Sequence, residues 1–533
     1  MCGFVCYHFE DNDDYIAKYR QFDKISYRGP DKTERWTYAN LHMTFHRLAI
    51  VDLTDDAMQP MWSADASVML VCNGEIYNHL ELREKYSFIT HSESDCEIIL
   101  HMYDKFGIRK TLQELDGVFA FVLFDLKTNK FYAARDPHGV RPAFIGWTQG
   151  EKSVCIASEI KAMSDFCEKI VHVVPGNYYV WELGGDKVPK EMVYFDKNYR
   201  YHYLSEKEAL AGIRTLLTDA VNKRLMSDRE IGCLLSGGLD SSLVAALVAQ
   251  NFERGKVKTF SIGLPGSPDV EFAQKVADHI GSDHHTISMP QEEFLAAIRT
   301  VIYNIESYDT TSVRASVGNY LVSKYIKDNT DVKVVFNGDG ADEVCMGYLY
   351  NANAPTPTEF FEENVRLLKE IFYFDVLRSD RSISSNGLEA RTPFLDKAFV
   401  GFNMSIPPEM KMFGTNNLPE KYLLRKAFDN TRLLPDEILW RTKCAFSDAV
   451  SSRENSWHKI IQDHVNGLVS DKEFKKFKST HCAPVLKESY FYRKIFEEMF
   501  GRRHVNIIPH FWMPRWSTAT DPSARELNNY SES

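Results

Sequence analysis

The sequence predicts a two-domain α/β protein. Three observations lead there. Residues 2–195 are rich in short apolar strands. From residue 206 helices alternate with apolar strands. Between one such strand and a helix lies a glycine turn, Ser236-Gly237-Gly238-Leu239-Asp240-Ser241-Ser242. A chain of 533 residues is also too long for one ordinary core, and two to four domains are the expectation.

Composition narrows the class. The chain is 44% hydrophobic and 26% charged, the balance of a soluble globular enzyme. Its net charge of −11 argues against nucleic acid or an anionic membrane as partner. No apolar run is long enough to span a bilayer. Asp11, Asp13 and Asp14 stand where a secretory signal would be basic or apolar. The ten cysteines contain no Cys-x-x-Cys pair and no framework spacing, which implies free thiols in a reducing, cytoplasmic setting. Cys72, Cys155 and Cys233 lie in apolar runs and read as core residues. The histidines lack metal-ligand spacing; His284-His285 is an adjacent pair.

Within the first domain, residues 67–73 form an apolar run that stops at Asn73-Gly74, a turn dipeptide. Residues 117–125 and 130–136 flank a hairpin turn at 126–129. Residues 154–158 and 177–182 are further strands, and 81–85 and 95–106 are helical. This mixture fits two packed sheet layers covered by helices. The polar, aromatic stretch 195–203 separates the domains, giving 2–195 and 206–515. In the second domain 231–235, 258–263 and 332–336 read as strands, with helices at 241–250 and 271–280. Such alternation implies a parallel sheet. Beyond residue 360 the chain reads as mainly helical. The Ser-, Asn- and Glu-rich end, 516–533, reads as a flexible tail.

Two places carry chemistry. Cys2 follows the initiator methionine. Trimming of Met1 gives one residue both a thiol and a free α-amine, and that amine can serve as the general base for its own side chain. On position alone Cys2 is equally an incidental chain end. The second place is the 236–242 turn. Its glycines let the backbone approach phosphate oxygens, and the following helix offers N–H groups and a positive dipole end. Ser236, Ser241 and Ser242 add hydroxyls. Asp240 suits a polyphosphate only with a cation between them, which makes it a Mg²⁺ ligand. The plain alternative is a helix cap. A Gly-Lys-Ser ending is absent, so the loop is not of the Walker type.

The loop resembles that of ATP pyrophosphatases, and Cys2-Gly3 resembles the start of a class II glutamine amidotransferase domain. A chain carrying both in this order resembles the glutamine-hydrolysing asparagine synthetases. Further matching stretches are Arg28-Gly29-Pro30-Asp31, residues 47–52, residues 73–78, residues 263–269, residues 306–316 and residues 389–396. The resemblance covers nearly the whole chain. It implies an N-terminal αββα sandwich of the N-terminal-nucleophile hydrolase type, then a parallel-sheet nucleotide-binding domain with extra helices. It also implies a homodimer.

For the glutaminase half the resemblance implies Cys2 as nucleophile, with Asn73 and Gly74 as oxyanion donors. Glutamine is then held by Arg47, Leu48, Ala49, Ile50, Val51, Asn73, Gly74, Glu75 and Asp95. Tyr27 departs from the histidine that many relatives place before Arg-Gly-Pro-Asp, a change read as packing. For the synthetase half it implies ATP as co-substrate at Leu234, Ser236, Gly237, Gly238, Asp240, Ser241, Ile262, Asn337 and Gly338. Mg²⁺ is assigned to Asp240 and Asp342. Asp309, Thr311 and Arg314 are the candidates for aspartate. Lys443 matches a lysine that stabilises the transferring phosphate. Asp339 stands where relatives often carry glutamate, one methylene longer, that takes a proton during ammonia attack; Asn337 replaces their serine. The implied reaction converts L-aspartate to L-asparagine through β-aspartyl-AMP, with ammonia from glutamine crossing between the sites by an apolar passage. Two other readings are an amidotransferase with a different acid substrate and a catalytically silent relative. Cys2 argues against the lactam-forming members, and the sugar- and purine-pathway amidotransferases lack the 236–242 loop.

Overall fold

The computed structural model describes residues 1–9, 14–182, 188–414, 418–442, 450–452, 456–523 and 526. The architecture is two-domain α/β. Twelve strands come first: β1 (Gly3–His8), β2 (Lys32–Tyr38), β3 (Leu41–Arg47), β4 (Met61–Trp62), β5 (Val68–Ile76), β6 (Gly117–Asp125), β7 (Lys130–Arg135), β8 (Phe144–Trp147), β9 (Val154–Ala157), β10 (Lys169–His172), β11 (Asn177–Glu182) and β12 (Lys190–Val193). They build two sheets, ordered β10-β8-β9-β1-β3-β2 and β12-β11-β7-β6-β5-β4.

Period-two alternation explains how the layers stack. On β1, Phe4 and Cys6 face inward and meet Met69, Val71, Ala120 and Val122 of the second sheet. Val5 and Tyr7 face the other way, onto Phe22, Ile25 and Ile160. The outer face of the second sheet carries Leu70, Cys72, Phe119 and Phe121. These pack under helices α1 (His79–Tyr86) and α2 (Ile98–Glu114) through Leu82, Ile99 and Met102. Helices thus cover the outer face of the second sheet, and short helical turns at 16–28 and 160–162 cover that of the first.

One local expectation is overturned. Asn73-Gly74 is not a turn: β5 runs through both, with Asn73 opposite Ala120 and Gly74 opposite Phe119. Long-range pairing with β6 overrides the local preference of Asn-Gly. The chain leaves the strand at Tyr77-Asn78, where the Asn78 side chain bonds the Asp116 amide and the Glu114 carbonyl.

The second half opens with helix α3 (Glu206–Lys223), whose start is a capping box between Ser205 and Glu208. Five parallel strands follow: β13 (Ile231–Leu234), β14 (Lys258–Gly263), β15 (Asp283–Ser288), β16 (Val334–Phe336) and β17 (Glu389–Arg391), in the order β15-β14-β13-β16-β17. Helix α4 (Leu239–Ala249) follows β13 and α5 (Pro268–Ile280) follows β14. Helices α6 (Thr310–Asn329) and α7 (Asp375–Ser384) pack against each other. β15 is polar and β17 only three residues long, so neither had a sequence signal. Because the sheet grows from β13 in both directions, a crevice opens beyond the carboxyl ends of β13 and β16, the usual ligand position in such sheets.

The tail expectation also changes. Asp521 is buried and pairs with Arg314, and its carboxylate accepts from the Ser523 amide. The chain is thus anchored through residue 523. Among the described residues, no helix is long and apolar enough to cross a membrane.

Candidate active sites

Two cavities lie on the two halves. The smaller, of about 30 Å³, is lined by Cys2, Arg47, Leu48, Ala49, Ile50, Val51, Asn73, Gly74, Glu75 and Asp95, with Glu389 reaching in from β17. All the residues expected to hold glutamine therefore converge. Strand β1 delivers Cys2, the end of β3 delivers Arg47 and the loop 48–51, and β5 delivers Asn73 to Glu75. The Cys2 thiol accepts from the Leu48 amide at 3.4 Å. Its carbonyl accepts from Arg28 Nε at 2.9 Å. The Leu48–Asp52 loop is braced from several sides. Asp31 accepts from the Ala49 amide at 2.9 Å, Asp228 accepts from the Asp52 amide at 2.8 Å, and Arg229 Nε donates to the Ala49 carbonyl at 3.0 Å.

Asn73 is wholly buried, and among the described residues neither atom of its side-chain amide has a hydrogen-bond partner. Leaving such a group unpaired costs roughly 1–3 kcal/mol, and a buried orphan donor in a cavity beside a thiol is the signature of a ligand contact. Arg47 donates to the carbonyls of Thr54 and Asp52. Asp95 accepts from the Ile76 amide at 2.6 Å. Burial, then the nearby Glu389 charge, drives the Glu75 carboxyl well above the usual range, although Arg391 lies 3.3 Å away. With Met1 in place, burial pushes the Cys2 thiol up to about 11 and the Met1 amine down to about 6.

The larger cavity, of about 200 Å³, sits in the crevice of the parallel sheet. Leu234, Ser236, Gly238, Asp240, Ser241, Ile262, Asn337, Gly338, Asp339 and Asp342 line it, as does Thr311. Gly237 turns the loop with φ +70°, and a side chain there would strike the Ala273 amide. Ser241 Oγ bonds the Ser236 amide at 3.1 Å and the Ser236 hydroxyl at 2.9 Å, which closes the loop on itself. Arg441 Nη1 donates to the Gly237 carbonyl at 3.0 Å, its Nη2 meets Asp269 at 2.9 Å, and its guanidinium stacks on Phe272.

Sequence reasoning missed the charged groups that organise this cavity. Lys421 Nζ lies 2.5 Å from Asp240 Oδ2 and 2.6 Å from Asp342 Oδ1. Against the cost of burial, these two carboxylates hold its ammonium above the usual lysine range. Its backbone is left-handed at φ +56°, a strained state for lysine of the kind that collects at functional sites. Gly347 makes the approach feasible, because a Cβ there would fall 1.9 Å from Lys421 Cε. Arg378 on α7 donates to Asp339 at 3.0 Å and to Asp375 at 2.9 Å. The Tyr348 hydroxyl bridges Glu343 and Asp375, bonded to both. Burial raises Glu343 well above its usual range, reinforced by the Asp375 charge; burial also opposes ionisation of Asp375, but Arg378 holds it low. No motif announces Lys421 or Arg378.

Of the aspartate candidates only Thr311 reaches the wall. Asp309 caps α6 through the Ser312 amide and also accepts from the Trp512 amide. Arg314 is saturated by Glu488 and Asp521. Lys443 lies outside the described residues. Tyr27 donates to Glu159 and accepts from Lys161 Nζ at 2.6 Å, so it belongs to a buried ion cluster at the junction of the two halves.

Comparison with known proteins agrees with this geometry. The glutamine amidotransferase domain family model matches residues 1–178, and the asparagine synthase model matches 212–362 and 352–519. Glutamine-hydrolyzing asparagine synthetases from Mus musculus and Homo sapiens are 44% and 43% identical over 562 aligned positions, covering 99% of both chains in each case. That of Gallus gallus is 44% identical over 95% of both. The fold and its two cavities define a fused amidotransferase and nucleotide-dependent ligase. The chain belongs to the glutamine-hydrolysing asparagine synthetase family.

Proposed function

We infer that the protein converts L-aspartate to L-asparagine at the expense of ATP, with nitrogen taken from L-glutamine. The observation that carries this reading is the presence, in one chain, of a thiol cavity with an orphan buried amide and a phosphate-loop cavity with paired carboxylates. In the first, the Cys2 thiol attacks the glutamine amide carbon once Met1 is removed. Its own α-amine takes the thiol proton and passes it to the departing nitrogen, ammonia leaves as the C–N bond breaks, and water then hydrolyses the thioester to free glutamate and the thiol. The Asn73 amide and the Gly74 N–H stabilise the oxyanion; one such donor is worth ~3 kcal/mol. Arg47 and the loop 48–51 take the substrate carboxylate, and Glu75 and Asp95 its ammonium. On this reading the two-sheet domain is of the N-terminal-nucleophile hydrolase type.

In the second, the Ser236–Ser241 loop takes the pyrophosphate portion of ATP, and Leu234, Ile262, Asn337 and Gly338 the nucleoside. The aspartate side-chain carboxylate attacks the α-phosphorus and expels pyrophosphate. Ammonia then opens the acyl-adenylate and releases AMP. Asp339, oriented by Arg378, takes the proton, Thr311 borders the acid, and Lys443 offsets phosphate charge. Asp240 and Asp342 fit a divalent cation: among the described residues Asp240 Oδ1 is buried without a hydrogen-bond partner, and an ammonium already lies between the two carboxylates. Mg²⁺ there would neutralise phosphate oxygens. Purified protein supplied with ATP, Mg²⁺, aspartate and glutamine or ammonium should yield asparagine, AMP and pyrophosphate in equal amounts. ADP and orthophosphate in their place would overturn the adenylate route.

A further inference from the structure

We propose that Asp380, which belongs to the synthetase half, is a positioning residue for the glutaminase nucleophile. The argument starts at Cys2. Once Met1 is gone, Cys2 is a chain end, and its main chain is held through its free α-amine and its peptide carbonyl. That carbonyl accepts from Arg28 Nε at 2.9 Å. The Arg28 guanidinium is wholly buried, so its direction depends on its partners.

Asp380 provides the two-pronged contact. Its Oδ1 meets Arg28 Nη1 at 2.9 Å and its Oδ2 meets Nη2 at 3.4 Å. A carboxylate engaging both terminal nitrogens fixes the guanidinium plane, and with it the direction of Nε. Glu159 and Ser384 reach only Nη1. Without the Asp380 carboxylate, Arg28 keeps a partner for its charge but can rotate about that contact. The bond to the Cys2 carbonyl then loosens, and the thiol drifts from the Leu48 amide and the Asn73 amide. Misplacements of about 1 Å at reacting groups can cost on the order of 10²-fold in rate.

The element that carries Asp380 gives the contact a second meaning. Helix α7 is buried along nearly its whole length. Three consecutive residues serve different sites: Arg378 holds Asp339, Ser379 Oγ accepts from Asn337 Nδ2 at 2.8 Å, and Asp380 holds Arg28. One short rigid helix therefore borders the synthetase cavity and sets the nucleophile of the glutaminase cavity.

The proposal rests on Cys2 being the glutaminase nucleophile, so C2A is measured beside D380N. In D380N we expect glutamine hydrolysis, and the labelling of Cys2 by a diazoketone analogue of glutamine, to slow at least tenfold. The glutamine KM and ammonia-dependent asparagine synthesis should stay within twofold of wild type. A packing defect would instead lower both nitrogen routes together, and that outcome overturns the proposal. So does a D380N labelling rate within twofold of wild type. Glutamine use surviving in C2A would sink the underlying reading instead. If D380N does not fold, D380E keeps the charge but moves the carboxylate by one methylene and spoils the two-pronged contact. A threefold or larger fall in labelling with intact ammonia-dependent synthesis supports the proposal, and unchanged labelling refutes it.

Discussion

The two cavities are built on opposite principles. In the glutaminase cavity the groups nearest the thiol are main chain and neutral, the Leu48 amide and the Asn73 side chain, while Arg47, Glu75, Asp95 and Glu389 stand around them. The synthetase cavity is held open by charge. Lys421 sits between Asp240 and Asp342, and Arg378 between Asp339 and Asp375. The first cavity is pre-set by strand register, so its framework loses little stability when one side chain goes. The second depends on ion pairs sharing a small buried volume, where loss of one partner leaves a bare charge.

The contrast is broken most forcefully at Lys421. Lys421→Gln leaves two partly buried carboxylates facing each other. It should cost about 1–3 kcal/mol of folding stability, less than a fully buried pair would, and lower synthesis from both glutamine and ammonium by on the order of 10²-fold or more. Denaturant midpoints and product assays measure both effects. Glutamine hydrolysis in the same protein should remain near wild type; its equal loss would mean that the cavities are not independent in this respect. Asn73→Ala probes the other principle. It should reduce glutamine-dependent turnover by about 10²-fold while stability holds or rises, because an unsatisfied buried amide is removed. A clear drop in melting temperature would place Asn73 in the framework rather than in the reaction.

Most of the first cavity was legible in the sequence because its parts come from four short segments, each carrying a compact motif. Only the local conformation at Asn73-Gly74 was misread: a dipeptide that favours a turn in isolation is pinned into β5 by nine residue pairs with β6. The second cavity was legible where loop chemistry is local, at 236–241 and 337–342. Lys421 and Arg378 arrive from distant segments, and nothing within a window of ten residues distinguishes them from surface charges. The same holds for Asp521, whose tail composition conceals a pair with Arg314.

Acid titration gives a smaller test, at the junction of the halves. His138 is buried with no hydrogen-bond partner on either ring nitrogen, and burial lowers its pKa to about 3. The native state keeps it neutral, while the unfolded chain takes up a proton below about 6.5. Stability is therefore full above that pH and falls as the pH drops from about 6.5 toward 3. The loss from this residue between pH 7 and pH 5 is about 2 kcal/mol. His138→Phe should flatten that part of the profile in urea titrations. An unchanged slope would mean that the ring is already bonded in solution.

The division of labour itself is tested by the origin of the product nitrogen. With ATP, Mg²⁺, aspartate, amide-¹⁵N glutamine and unlabelled ammonium, the wild-type protein should make asparagine carrying ¹⁵N. The Cys2→Ala protein should make asparagine at a comparable rate from ammonium alone, without label. Labelled asparagine from Cys2→Ala, or no asparagine at all, would contradict the account.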